Sequence, residues 1–535
     1  MKTRITFVTA ITITALMLFS TVPHFNTGAG PISASSAPSV QHSSNIVVNF
    51  NGGRLPADYA NVISSAGGQV IKAIPEIGVV DAKPSSVSGD TFLANVRASF
   101  EVYQAGPDII ANLIMPQSIT TDEDTIPTSI PPPPTTILGA PARDRYYIEA
   151  NGNVPSNQWA VRRVGGFGVC PTCYGPAGGA WDTTIGSSSV TIAIVDTGIS
   201  PLHPDVNAKI IDAQSSIFGT TPTPLVGSDP SIDDGSPDDQ VGHGTWTASL
   251  AAGSLDPAGG IGATVGVAPG VNLANLKVLV RTTSGGGSGE FAWTVAAIVY
   301  AANHGYQVIS MSLGGFADRT NRDDVAIYTA LIRASNYAFS HGSILFAAAG
   351  NSGLNLDKIG SFIELPGMLP NVIAVTATTN PACVENLAPG ATCSSGPDGL
   401  AFYSDYGSSL NALAAPGGSL PAGGAIGKTG FVRGACSPGK ATTNSLCFTL
   451  GHVYYVRAIG TSASTPLVAG AAALVLSANP NLSPSEVRAV LEQTATNIGP
   501  RLFFGFGLVN AAAAVQLAPN FGSSGSPDVC TECHY

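Results

Sequence analysis

The stretch VTIAIVDTG, residues 190–198, decides the fold. From Val190 to Val195 only Thr191 is polar, and the run stops at Asp196 just before Gly198 turns the chain. A strand that is apolar along both faces belongs in a sheet covered on both sides. The same signature recurs in NLKVLV (275–280), YQVISMSL (306–313), SILFAAAGN (343–351) and NVIAVTA (371–377). Between these runs lie EFAWTVAAIVYAANHG (290–305) and NRDDVAIYTALIRASNYAFSHG (321–342), each long enough for a helix and closed by Gly. Strands alternating with helices predict an α/β fold, a doubly wound and mainly parallel sheet. Chemistry in such sheets gathers beyond the carboxyl ends of the strands.

Upstream the elements shorten. NIVVNF (45–50) predicts a strand, ADYANVISSAGG (57–68) a helix, and QVIKAIPEIGVVDA (69–82) two strands about a Pro-containing turn. SGDTFLANVRAS (88–99) then predicts a second helix and EVYQA (101–105) a last strand. The order βαββαβ over residues 45–115 is that of a small α+β, ferredoxin-like unit. Residues 116–156, with Pro131 to Pro134, read as an extended linker, 157–520 as the sheet domain, and 521–535 as a Cys-containing tail. Lys2 and Arg4 ahead of the apolar run Ile5 to Phe19 mark residues 1–29 as a secretory signal, too short for a membrane span. The apolar run Leu467 to Ala478 reads as a buried helix, so no membrane association is expected.

Only 11% of the 535 residues are charged, and 23 Lys and Arg face 34 Asp and Glu. That balance excludes a nucleic-acid binder, which needs clustered basic side chains. Eight Cys in an exported, extracellular chain favour disulfides. Cys383/Cys393 and Cys436/Cys447 suggest local staples. The pairs Cys170/Cys173 and Cys530/Cys533 could cross-link, close locally or hold zinc, with export favouring disulfides.

Four polar residues stand out at the predicted sheet edge and helix starts. Asp196 ends the first strand; His243, in Gly242-His243-Gly244-Thr245, opens an apolar helix; Asn351 follows SILFAAAG. Ser462, in Gly460-Thr461-Ser462-Ala463-Ser464-Thr465-Pro466, sits at a helix N-terminus, with Pro466 expected in the first turn. Taken singly, each has an ordinary structural explanation, as turn former, cap or αL residue. Together, Asp, His and Ser in this order form one recognised order of a hydrolytic triad.

From about Gln158 to Leu517 the chain resembles the subtilisin-like serine peptidases, the subtilases, through VDTGI, GHGT, SMSLGG, AAAGN and GTSASTP. QWAVRRVG before these motifs and FGFGLVNAAAA after them add support. Residues 45–115 look like the inhibitory propeptide of that family. The resemblance implies a secreted endopeptidase made as a self-processed zymogen, with Ser462 as nucleophile, His243 as general base, Asp196 orienting the imidazole and Asn351 donating to the oxyanion. Ser312, Leu313, Gly314 and Gly315 would pair with the substrate backbone, and Ala348, Ala349 and Gly350 would line the primary specificity pocket. Glu364, ahead of Leu365-Pro366-Gly367, would sit near that pocket's floor and attract Arg or Lys, unless it is a solvated loop residue. The partners implied are polypeptide substrates and the chain's own propeptide, and a monomer is expected.

No cofactor is required for this chemistry. Asp229, Asp233, Asp234, Asp238 and Asp239 crowd one loop, and His203-Pro204-Asp205 resembles a calcium-site segment, so structural calcium is considered with no ligand named. The alternative from another class is a catalytically silent subtilase-fold module that binds or inhibits.

Overall fold

The computed structural model describes residues 38–113, 118–123, 158–165, 179–215, 227–229, 231, 233–255, 264–379, 398–418, 431–437 and 454–522. The predicted signal, most of the linker, the C-terminal tail and seven of the eight Cys lie outside these residues; Cys436, on a buried strand, is disulfide-bonded.

The N-terminal unit comprises β1 (His42–Phe50), β2 (Gly68–Ile74), β3 (Val79–Pro84) and β4 (Val102–Leu113), with helices Tyr59–Ser65 and Gly89–Ala98. A short strand, β5 (Ser118–Glu123), follows. Next come β6 (Thr191–Asp196), β7 (Ile210–Ser215), β8 (Asn272–Lys277), β9 (Val280–Arg281) and β10 (Gly287–Glu290). They are followed by β11 (Val308–Met311), β12 (Leu313–Asp318), β13 (Ile344–Ala348), β14 (Phe362–Leu365) and β15 (Val372–Thr379). The last strands are β16 (Gly399–Leu400), β17 (Ala412–Pro416), β18 (Val432–Cys436) and β19 (Tyr454–Ile459).

The central sheet runs β16-β15-β13-β11-β6-β8-β7, with β17 also paired to β15; every pairing is parallel except β15 with β16. β6 shows why its strand is apolar throughout. Ile192 and Ile194 join one core cluster with the helices His243–Ala252 and Thr461–Ala478. Ala193 and Val195 point the other way, into a second cluster with the helices Phe291–Asn303 and Val325–Ser340. The α/β expectation holds. The Thr461–Ala478 helix is long and apolar enough to cross a bilayer, but it is buried in the protein core.

Three boundaries differ from expectation. NLKVLV enters the sheet earlier, as Asn272–Lys277, because Val278 and Leu279 leave the ladder and donate to the Asp196 carbonyl at 2.9 and 3.2 Å. YQVISMSL divides at Ser312, its second half joining an edge ladder with β4 and β14. EVYQA runs on to Leu113 as the long strand β4. In the N-terminal sheet, ordered β4-β1-β3-β2, one face carries its own apolar cluster, including Val48, Phe50, Phe92 and Val96.

Candidate active site

β6 delivers Asp196 to the carboxyl edge of the sheet. Its carboxylate accepts from the Thr197 N–H at 2.7 Å and the Thr247 hydroxyl at 3.3 Å. His243 Nδ1 lies 2.8 Å from Asp196 Oδ1 and 3.0 Å from Oδ2. Both side chains are buried, and Trp246 meets the imidazole edge-on with ring centroids 5.6 Å apart. His243 Nε2, the other ring nitrogen, has no hydrogen-bond partner among the described residues.

The loop ahead of His243 fixes its position. Asp239 Oδ1 accepts from the Thr197 hydroxyl (2.9 Å) and from the N–H groups of Val241 (3.0 Å) and Gly242 (2.7 Å). Oδ2 accepts from the N–H and hydroxyl of Thr245 at 2.9 and 2.7 Å, satisfying a donor in the first turn of the His243 helix. Behind the loop, buried Lys277 donates to the Asp238 carbonyl (2.9 Å) and Gln240 Oε1 (2.6 Å), and pairs with Asp233 at 3.0 Å. Burial, and then the neighbouring Asp239, push Asp238 up to about 6.

Those acids therefore serve as scaffold. Asp205 likewise accepts from the Thr264 N–H at 3.1 Å and from the Thr264 hydroxyl. Among the described residues no group of three or more His, Cys, Asp or Glu is gathered as a metal would need. The calcium idea thus gains no ligand set.

Ser462 is the second residue of the helix Thr461–Ala478, which packs against the His243 helix. Pro466 lies inside this helix rather than in its first turn. Lacking an N–H, it cannot bond the Ser462 carbonyl four residues back. The Ser312 hydroxyl donates to that carbonyl instead, at 3.1 Å. Asn351, just past β13, accepts at Oδ1 from the N–H and hydroxyl of Thr461, both at 2.9 Å. Its amide nitrogen is thereby turned toward Gly460, where an added Cβ would stand only 3.0 Å away.

Ala348 ends β13, and Ala349, Gly350 and Asn351 follow it. Leu313, Gly314 and Gly315 lie on β12, immediately after Ser312. Between β10 and β12 sits β4 of the N-terminal unit, pairing antiparallel with both: Glu290↔Ile110, Gly289↔Ala111, Ser288↔Asn112, Gly314↔Asn112 and Leu313↔Leu113. β5 then pairs with β19, Ser118 opposite Ile459, three residues before Ser462. The N-terminal chain is thus held on both flanks of Ser462.

Glu364 is not a solvated loop residue. It lies on β14, 4% exposed, opposite Phe316 of β12. Burial, then the nearby Asp405, hold its carboxyl well above the usual range, and burial pushes Asp405 up to about 7. Lys277 and Asp405 were not singled out from the sequence, and Asp239 was named there only among the crowded acids considered for calcium. The one legible hint was Asp239, a short acceptor four residues ahead of His243 at a helix start.

Residues 187–507, more than half of the chain, match the model of the subtilase family, Peptidase_S8. The chain belongs to the subtilase family. It is 32% identical to subtilisin DY of Bacillus licheniformis over 62% of this chain and 92% of that one. It is also 32% identical to thermitase of Thermoactinomyces vulgaris, over 64% and 95%. Two solved structures share the fold. The epidermin leader peptide processing serine protease of Staphylococcus aureus gives a TM-score of 0.62 at 21% identity, covering 89% of this chain and 99% of that one. Fervidolysin of Fervidobacterium pennivorans, described as a keratinolytic enzyme related to subtilisin, gives 0.60 at 22%, covering 90% and 64%. This subtilase is accordingly a serine-type endopeptidase, a hydrolase of polypeptide substrates.

Proposed function

We propose that the chain is an exported zymogen whose peptide-bond hydrolysis runs through Ser462, His243 and Asp196. The observation carrying this reading is the Asp196–His243 contact through Nδ1, with Nε2 unengaged among the described residues, on a helix that packs against the helix bearing Ser462. Ser462 attacks the carbonyl carbon, and Nε2 takes its proton. Asp196 holds the tautomer with hydrogen on Nδ1 and stabilises the imidazolium. The proton then passes to the leaving amine, and water resolves the acyl-enzyme through the same base. The Asn351 amide and the Ser462 N–H donate to the oxyanion as negative charge develops. Catalytic hydrogen bonds commonly tighten only with substrate present, so the unengaged Nε2 is compatible with this role.

Substrate lies as an added strand between β10 and β12, where β4 now lies, so recognition is chiefly through main-chain groups. The N-terminal unit is the intramolecular inhibitor, and self-cleavage between about Met115 and Asn157 matures the enzyme. Labelling of the exported product by a fluorophosphonate probe, lost in Ser462→Ala, tests the nucleophile. Trimming of purified Ser462→Ala within that interval, without added protease, would defeat self-processing.

A further inference from the structure

β12 is shared by two neighbours. One edge carries β4, lying as a substrate would, and the other carries β14 with Glu364. Ala348 ends β13, and Ala349 and Gly350 lead from it to Asn351. Asp405 is seated against Gly350: its N–H donates to the Gly350 carbonyl at 3.0 Å, and a Cβ on Gly350 would come within 2.1 Å of Asp405 Oδ2. Asp405 Oδ1 accepts from the N–H groups of Ser352 (3.0 Å) and Leu354 (2.6 Å), so this carboxyl is fixed in place. Gly367 lies beside Ala348, close enough that an added Cβ would stand 3.1 Å from the Ala348 carbonyl oxygen.

Glu364 Oε2 and Asp405 Oδ2 are both buried and have no hydrogen-bond partner among the described residues. No Lys, Arg or His among the described residues forms an ion pair with either. Two buried carboxyls with open oxygens and no counter-charge are held protonated by burial, and an arriving cation would be met by ionising and sharing them. Calcium would need six to eight oxygens, and no group of three acids is gathered here among the described residues. A guanidinium, a planar fork of N–H donors, or a compact ammonium suits two acceptors better.

The geometry points to Glu364 and Asp405 as the paired acidic floor of the primary specificity pocket, selecting Arg or Lys immediately before the cleaved bond. This rests on the serine-peptidase reading of the site and adds a substrate class to it. The chain's own sequence bears on the idea. No Lys or Arg occurs between Arg97 and Arg143, so the strand lying along β12 offers the pocket no favoured side chain.

The test uses the matured full-chain product, active-site titrated with a fluorophosphonate, and peptide substrates differing only in Arg, Lys, Leu or Phe before the cleaved bond. Arg and Lys should exceed Leu in kcat/KM by at least about ten-fold, the weight of one charged hydrogen bond. Glu364→Gln should erase most of that ratio, read as the quotients of kcat/KM for Arg over Leu and Lys over Leu. Asp405→Asn, which keeps an acceptor for Ser352 and Leu354, should lower it too. A titratable enzyme that cleaves after Leu and Phe with no basic preference overturns this inference alone; an enzyme the probe cannot label overturns the underlying reading. If the variants fail to fold, competition by benzamidine against the unmodified enzyme decides, absence of inhibition counting against the proposal. Added calcium abolishing the Arg preference, with chelator restoring it, would make the floor a metal site and refute it.

Discussion

The hydroxyl of Ser312 donates to the main-chain carbonyl of Ser462, standing in for the N–H that Pro466 lacks. The start of β12, the proposed substrate strand, is thereby tied to the helix that carries Ser462, the proposed nucleophile. Ser312→Ala would leave a buried carbonyl without this partner, at a cost of about 1–3 kcal/mol. Thermal unfolding should show that loss, and kcat should fall more than KM changes, because the serine, not the substrate, loses its anchor.

Asn351 accepts from Thr461 and, in the proposed reaction, would also donate to the oxyanion, two jobs that substitution can separate. Asp at this position keeps the acceptor for Thr461 but removes the donor; Leu removes both. Asn351→Asp should unfold near the parent temperature yet lose at least about 10²–10³ in kcat, the range such a donor carries in subtilisin. Asn351→Leu should lose stability as well. Equal activity of Asn351→Asp and the parent would remove Asn351 from the oxyanion site.

Asp239 collects five hydrogen bonds around the start of the His243 helix. Asp239→Ala orphans several buried donors together and should destabilise the protein by about 3–5 kcal/mol. Denaturant titration measures this, and residual activity should fall through kcat as the imidazole loses its fixed position.

Three carboxyls meet where the N-terminal unit docks. Asp108 Oδ2 accepts from the Ala292 N–H at 3.0 Å, Glu290 is held by Asn45 Nδ2 at 2.8 and 3.0 Å, and neither oxygen of Asp81 has a partner among the described residues. Lys72, the register partner of Asp81 on β2, is the nearest basic residue along that ladder. Burial, then repulsion by Glu290, raises Asp81 and Asp108 well above the usual carboxylate range, and burial raises Glu290. A raised carboxyl binds more protons docked than exposed. Its contribution is therefore full below the ordinary carboxylate pKa near 4 and is lost as pH rises through the raised values. In full-chain Ser462→Ala, the N-terminal unit should gain amide-exchange protection as pH falls, and Asp81→Asn should flatten that dependence.

If the pocket selects basic residues, the mature N-terminus should follow Arg143 or Arg145, the first basic residues beyond Arg97. Mass spectrometry of the exported product checks this, and Arg143→Gln with Arg145→Gln should delay maturation.

Much of the fold could be read from period alone. β6 alternates Ile192 and Ile194 against Ala193 and Val195 between two covered faces, and only a sheet packed on both sides asks for that. Asp196, His243, Asn351 and Ser462 were visible because glycines and strand ends mark sheet edges and helix starts. Asp405 was not, since its importance comes from facing Glu364, distant in sequence. Lys277 was hidden in an apolar strand, its charge matched by Asp233 from a loop outside the ladder. The end of β4 was missed because its partners, β10 and β12, lie far along the chain.

The pairing of β4 with β12 and of β5 with β19 moors one continuous tether on both sides of Ser462. A cut anywhere beyond Glu123 severs neither mooring. Activation would then be timed by unthreading, two separate ladders peeling from a single fragment, so the clipped protein should linger as a silent complex well after its backbone is broken.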